Sequence, residues 1–127
     1  MTKQAFFDYC FSAFSLSPDY PFGDGSGAAV LRHPDSRRWF ALVMRVPERK
    51  FGLAGDGEVD VVNLKLPPDM SGTFGAAEGV FPAYHMNKLH WVSVLLPVAD
   101  GDLVGFLTRV SYTVTKTGAK KKKDTGQ

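Results

Sequence analysis

The segment WFALVMRV, Trp39 to Val46, is apolar at successive positions through its centre. As a strand it would bury side chains on both faces, which places it inside a sheet and not at its edge. Two flanking segments fit beside it. Ala28 to His33 forms a short strand joined to it by the turn HPDSRR, and EVDVVNLKL, Glu58 to Leu66, nearly alternates before Pro67 and Pro68 end it. With the polar, Gly-rich connection PERKFGLAGDG between the second and third, these segments predict an antiparallel meander.

Helical spacing governs the two ends of the chain. Thr2 can cap a helix whose Phe6, Phe7, Cys10, Phe11 and Phe14 recur on one side before Ser15 to Pro18 stop it. In ADGDLVGFLTRVSYTVTK, residues Leu103, Phe106, Leu107, Val110 and Val114 line one face of a last helix, with Asp100 or Asp102 near its positive end. A short helix opens at Pro68 and Asp69 and runs to about Glu78, weakened at Gly72 and Gly75 by up to ~1 kcal/mol each relative to Ala. The stretch PAYHMNKLHWVSVLL then supplies a turn and a further strand. The expected fold is α+β and two-layered, an antiparallel sheet with helices on one face in the order α-β-β-β-α-β-α.

A chain of 127 residues suits one domain, placed at residues 1–116, and the ten phenylalanines fill its core. The formal charge of +2 belongs to the end of the chain. Of 15 basic and 13 acidic side chains, five and one lie in the last twelve residues, so the remainder carries −2. Residues 117–127 read as a basic, disordered tail. No apolar run reaches the ~20 residues of a membrane span, and the N-terminus lacks the order of a signal peptide, so a cytoplasmic location without membrane association is expected. A lone cysteine, Cys10, reads as a buried small hydrophobe.

Little in the sequence supports catalysis or a metal. His85 and His90 would point to opposite faces of an extended strand and could share a metal only if the chain turns between them. Ser93 and Ser111 lie in no nucleophile elbow. FGDGSG, Phe22 to Gly27, has the glycines of a phosphate loop without its Lys-Ser/Thr ending, and reads as a turn. The expectation is no enzyme, no cofactor and no metal. Two turns instead interleave cations with aromatic rings: Arg32, His33, Arg37, Arg38 and Trp39 in one, and Tyr84, His85, Asn87, Lys88, His90 and Trp91 in the other. Nucleic-acid surfaces use that combination, with charge against phosphates and rings against bases. The same residues admit a bland reading, in which the tryptophans are core and the arginines solvate a turn.

Pro21-Phe22-Gly23-Asp24, Trp39-Phe40-Ala41-Leu42-Val43, Val62-Asn63-Leu64-Lys65, the block Tyr84-His85-Met86-Asn87-Lys88-Leu89-His90-Trp91, and Ser111-Tyr112 follow one another in an order that resembles the MmcQ/YjbR family. The resemblance spans roughly residues 3 to 116. It departs from the family pattern at Leu66-Pro67-Pro68, where a Cys-Asp-Pro-like turn is usual, and at Ala83, where glycine is frequent. The resemblance implies a small α+β domain similar to secretion-chaperone and frataxin-like (CyaY-like) folds, and a DNA-binding role through a double-wing motif. Carried over, the family signature falls on Lys65, Asn87, Lys88, His90, Trp91, Ser111 and Tyr112. The candidate nucleic-acid surface is therefore Arg32, Arg37, Arg38, Lys65, His85, Asn87, Lys88, His90 and Trp91, with DNA as the expected partner of a monomer or weak dimer. A protein-interaction or adaptor role on the same fold is the alternative, and Asn87, Lys88 and Tyr112 also admit purely structural roles in setting the turn and locking the last helix.

Overall fold

Thr2 accepts a hydrogen bond from the Ala5 amide at 3.0 Å and starts helix α1, Lys3–Phe14. The helix closes at Ser15, which takes a left-handed conformation (φ 59°) and donates its amide to Phe11 O. Phe6 and Cys10 are buried, Phe7 and Phe14 are half-buried, and Phe11 is 62% exposed, so the buried stripe is narrower than the run of phenylalanines suggested. This structure is a computed structural model, and it describes residues 1–117. Beyond Thr117 the expected basic tail lies outside the described residues.

Five strands follow in an antiparallel sheet: β1 (Ala29–Arg32), β2 (Trp39–Pro47), β3 (Glu58–Lys65), β4 (Val80–Pro82) and β5 (Trp91–Leu95), in spatial order β1-β2-β3-β5-β4. β2 lies between β1 and β3, as its two-sided apolar centre required. The order α-β-β-β-α-β-α is present, with β4 added as a short edge strand beside β5. Three residues are too few to register as a periodicity. Helix α2, Pro68–Phe74, ends earlier than expected, at Gly75, whose amide makes the last helical bond to Ser71 O.

The meander has two apolar faces. On one, Val43, Val62, Val94 and Val80 are cross-strand neighbours and pack with Phe6 and Cys10 of α1 and with Val104 and Leu107 of helix α3, Gly101–Thr117. Met70 and Phe74 bring α2 to the same side. On the other, Val46, Val59, Val61 and Leu95 are covered by Phe51 and Leu53 of the β2–β3 connection, Phe81 of β4 and Tyr84 rather than by an α-helix.

Asp100 caps α3, its Oδ2 accepting from the amides of Asp102 and Leu103 at 3.1 and 3.2 Å. The buried side of α3 is rotated from the expected stripe. Val104, Leu107, Thr108, Ser111 and Thr115 face the sheet, whereas Phe106 is 49% exposed and rests on Phe74. Three hydroxyls in a buried seam are tolerated because each is satisfied. Thr108 and Thr115 donate to Val104 O and Ser111 O at 2.7 Å, and Ser111 Oγ donates to Phe40 O at 2.6 Å while accepting from Lys65 N at 2.9 Å.

Candidate nucleic-acid interface

The pairing registers bring both candidate turns to one end of the sheet. Arg32 pairs with Trp39 and Lys65 with Trp91, so the β1–β2 turn, the end of β3 and the 83–90 loop share that end. β2 and β5 sit on either side of β3, roughly 10 Å apart at ordinary strand spacing. The last turns of α3 arrive there too: Ser111 clips Phe40 to Lys65, Thr115 meets His33, and Lys116 lies 5.7 Å from the Tyr112 ring centre. Arg37, Arg38, Lys65, Lys88 and Lys116 therefore gather near this end, with Asp35 in the β1–β2 turn, Asp19 paired to Arg32 and Asp69 at the start of α2 as acidic residues close by. The opposite end, where β2 passes to β3 and β5 to α3, holds Glu48, Asp56, Glu58, Asp60, Asp100 and Asp102 against Arg45, Arg49 and Lys50. Arg45 at that end lies 3.4 Å from Glu58 and 3.6 Å from Asp60.

The 83–90 loop is fixed by a buried polar group on the loop-covered face. Ser93 Oγ accepts from Tyr84 N at 2.9 Å and donates to Asn63 Oδ1 at 2.6 Å, and Asn63 Nδ2 donates to Tyr84 O at 3.0 Å. Both backbone polar groups of Tyr84 are thus held by side chains that are themselves fully buried. Further along, Asn87 Oδ1 accepts from Leu89 N at 2.8 Å, and Asn87 O accepts from the amides of His90 and Trp91, which turns the chain into β5. His85 takes a left-handed conformation (φ 63°) with its ring 3.9 Å from that of Tyr84. His85, Asn87 and Lys88 are exposed; His90, Trp91 and Lys65 are half-buried.

In the other turn, His33 N donates to Arg38 O and Arg37 N to His33 O, each at 2.9 Å, with Arg37 left-handed (φ 67°). The side chains of Arg37 and Arg38 stand exposed. Arg32 differs: its guanidinium pairs with Asp19 at 2.6 Å and its side chain is only 18% exposed, so its charge is engaged within the fold. His33 is buried against Phe40 and Tyr112, with Nε2 at 2.9 Å from Thr115 Oγ1. Burial pushes its pKa below the ordinary histidine value, opposed in part by Asp35.

The chain does turn between His85 and His90, but among the described residues no three His, Cys, Asp or Glu side chains gather as a metal set would. Tyr112 stacks on Phe14 at 4.2 Å on the helix side of the sheet, away from His85. Among the described residues no helix is long and apolar enough to cross a membrane. Sequence reasoning weighed Ser93 only as a nucleophile and met Asn63 only within the family pattern, and it missed their joint hold on Tyr84. Their signal was a polar side chain flanked on both sides by apolar residues, once in VVNL and once in WVSVLL.

Comparisons with known proteins agree with this architecture. The chain is 36% identical over 118 residues to the protein YyaQ of Bacillus subtilis (strain 168), itself described as uncharacterized, covering 91% of this chain and 99% of that one. A crystal structure of a protein from Pseudomonas syringae is 39% identical, with a TM-score of 0.86 over 91% of this chain and 99% of the other. The Deinococcus radiodurans protein DR2400, whose structure is assigned to domain family DUF419, is 26% identical with a TM-score of 0.63 over 95% and 83% of the two chains. A sequence model of the YjbR family matches residues 15–114, and the chain belongs to that family.

Proposed function

We propose that this protein is a non-enzymatic nucleic-acid-binding module whose interface is the basic end of the sheet. The observation that supports the reading is an imbalance of charge: cations from separate parts of the chain outnumber carboxylates at one end of the sheet, and carboxylates outnumber cations at the other. A polyanion approaching such a molecule is drawn to one end and repelled from the other, which orients the encounter. Arg37, Arg38 and Lys88 are the exposed cations suited to phosphates, and the half-buried Trp39 and Trp91 lie beside them. Arg32 contributes through its hold on Asp19 and not as a free charge. The four lysines Lys120 to Lys123 follow α3 in the sequence, and α3 ends at the basic end.

Fluorescence anisotropy with labelled duplex DNA over a salt series tests the proposal, comparing the full chain, a chain ending at Thr117, and the triple variant Arg37→Ala, Arg38→Ala, Lys88→Ala. Binding by the shortened chain that the triple substitution abolishes supports the folded domain as the interface. Binding that vanishes with the tail assigns it to the tail and rejects the proposal. A protein-interaction role is the second reading, favoured by the exposed Phe106 and the groove it shares with Met70 and Val110.

A further inference from the structure

On the loop-covered face, Phe51 meets Phe81 at 5.1 Å and Tyr84 at 6.2 Å between ring centres. Against these rings lies a cleft of about 400 Å³, with Lys50 on the wall formed by the 48–53 loop and Lys88 on the wall formed by the 83–90 loop. Its volume falls at the lower end of the range for small-molecule sites, ~300–1,000 Å³. All three rings are half-buried, so each keeps apolar surface in contact with water. One wall is also prebuilt. Ala83 is fully buried, and Tyr84 is fixed at both its amide and its carbonyl by Ser93 and Asn63. A ligand entering the cleft would not have to order that segment first.

The charge of the cleft is one-sided. Among the described residues, no acidic side chain lines it. Lys50 and Lys88 are exposed, and neither belongs to an ion pair among the described residues. Two ammonium groups arising from different walls, with aromatic surface between them, match a flat apolar body that carries negative charge at its rim.

We propose that this cleft binds a small planar aromatic anion, its ring lying against Phe51, Phe81 and Tyr84 and its carboxylate or phosphate within reach of Lys50 and Lys88. The cleft shares Lys88 with the nucleic-acid proposal, but Lys50 and Phe51 belong to no part of that interface, so the variants at these two positions test the cleft alone.

The test is a titration of the full-length, isotopically labelled protein with naphthoate, followed by amide chemical shifts, and in parallel with the neutral naphthylmethanol. Saturable shifts confined to Phe51, Gly52, Ala83 and Tyr84, with the neutral compound binding roughly fivefold to tenfold more weakly, are expected, given that exposed charge contacts are individually modest. Lys50→Glu, at an exposed position, should weaken naphthoate by about tenfold and leave the neutral compound unchanged. Phe51→Leu should weaken both. Equal binding of the two compounds, indifference to Lys50→Glu, or shifts that spread over the surface without saturating would each overturn the proposal.

Discussion

Ser93 Oγ stands 2.6 Å from Asn63 Oδ1, joining β5 to β3 through the two side chains that hold both polar backbone groups of Tyr84. The bond lies inside a sheet whose surrounding positions are valine and leucine, so neither partner has water to fall back on. Ser93→Ala leaves Asn63 and the Tyr84 amide each short of a partner, and an orphaned buried polar group costs about 1–3 kcal/mol. Asn63→Ala should cost a similar amount, and the double variant less than the sum, because the second change removes a group already stranded. Urea unfolding of the four proteins measures the coupling. Strict additivity would mean that the three groups do not act as a unit.

His33 makes stability depend on pH. Its folded pKa lies below the unfolded value near 6.5, chiefly through burial, so the unfolded chain binds more protons within that interval. Stability is therefore full above about pH 6.5, falls as the pH drops towards the folded pKa, and levels off below it. His33→Gln should lower stability near neutrality through lost packing with Phe40 and Tyr112, and should flatten the slope below it. Unfolding midpoints at several pH values for both proteins check this. An unchanged slope would place the titration elsewhere.

Arg37, Arg38 and Lys88 project from turns whose backbones are held by other groups. Their replacement by alanine should alter unfolding free energy by no more than about 0.5 kcal/mol per site. Duplex affinity should fall, and the salt slope should flatten by about 0.9 for each phosphate no longer neutralised. Destabilisation on the scale of a core substitution would show that these side chains are structural.

Gly79 precedes β4 at φ 84°, and its carbonyl accepts the Leu95 amide at 2.8 Å. A Cβ there would stand 2.7 Å from Ala99 N and 2.9 Å from Ala99 Cα, in backbone that cannot swing aside. Gly79→Ala should destabilise by at least ~1–3 kcal/mol, from strain and overlap together. Thermal unfolding reads it directly, with Gly57→Ala, where a Cβ meets nothing within 4 Å, as the control.

Cys10 is buried between α1 and the sheet, and desolvation pushes its thiol up to about 12. Native protein should therefore resist alkylation at about pH 8 and react once unfolded, because the thiolate is the reactive form. Mass spectrometry after iodoacetamide treatment, with and without denaturant, distinguishes the two. Rapid native labelling would expose a local opening of α1.

Much of the architecture was legible in the residues themselves. Local spacing and turn chemistry were enough for α1, α3 and the meander, since Thr2, the Pro67-Pro68 pair and the glycine-rich turns act within a few residues of the elements they limit. The two-sided apolar centre of β2 also required a strand on each side of it. Other features have no local signal. β4 exists because β5 offers an edge to pair with, and Phe106 is exposed because α3 turns its Thr108, Ser111 and Thr115 hydroxyls inward, where their hydrogen bonds offset the cost of burial.

The sequence by itself determined the helices and the strands other than β4, and that cations and aromatic rings are interleaved in two turns. Tertiary structure decided what those turns share: antiparallel pairing carries residues fifty positions apart in sequence, such as Arg38 and Lys88, to one end of the sheet. It also decided which candidates remain free. Arg32 and Asp19, thirteen residues apart, became partners through the pairing of Asp19 with Val30. His33 left the surface because Thr115 offered it a hydrogen bond inside the core. Charge and hydrogen bonding act through space, and only the fold sets those distances.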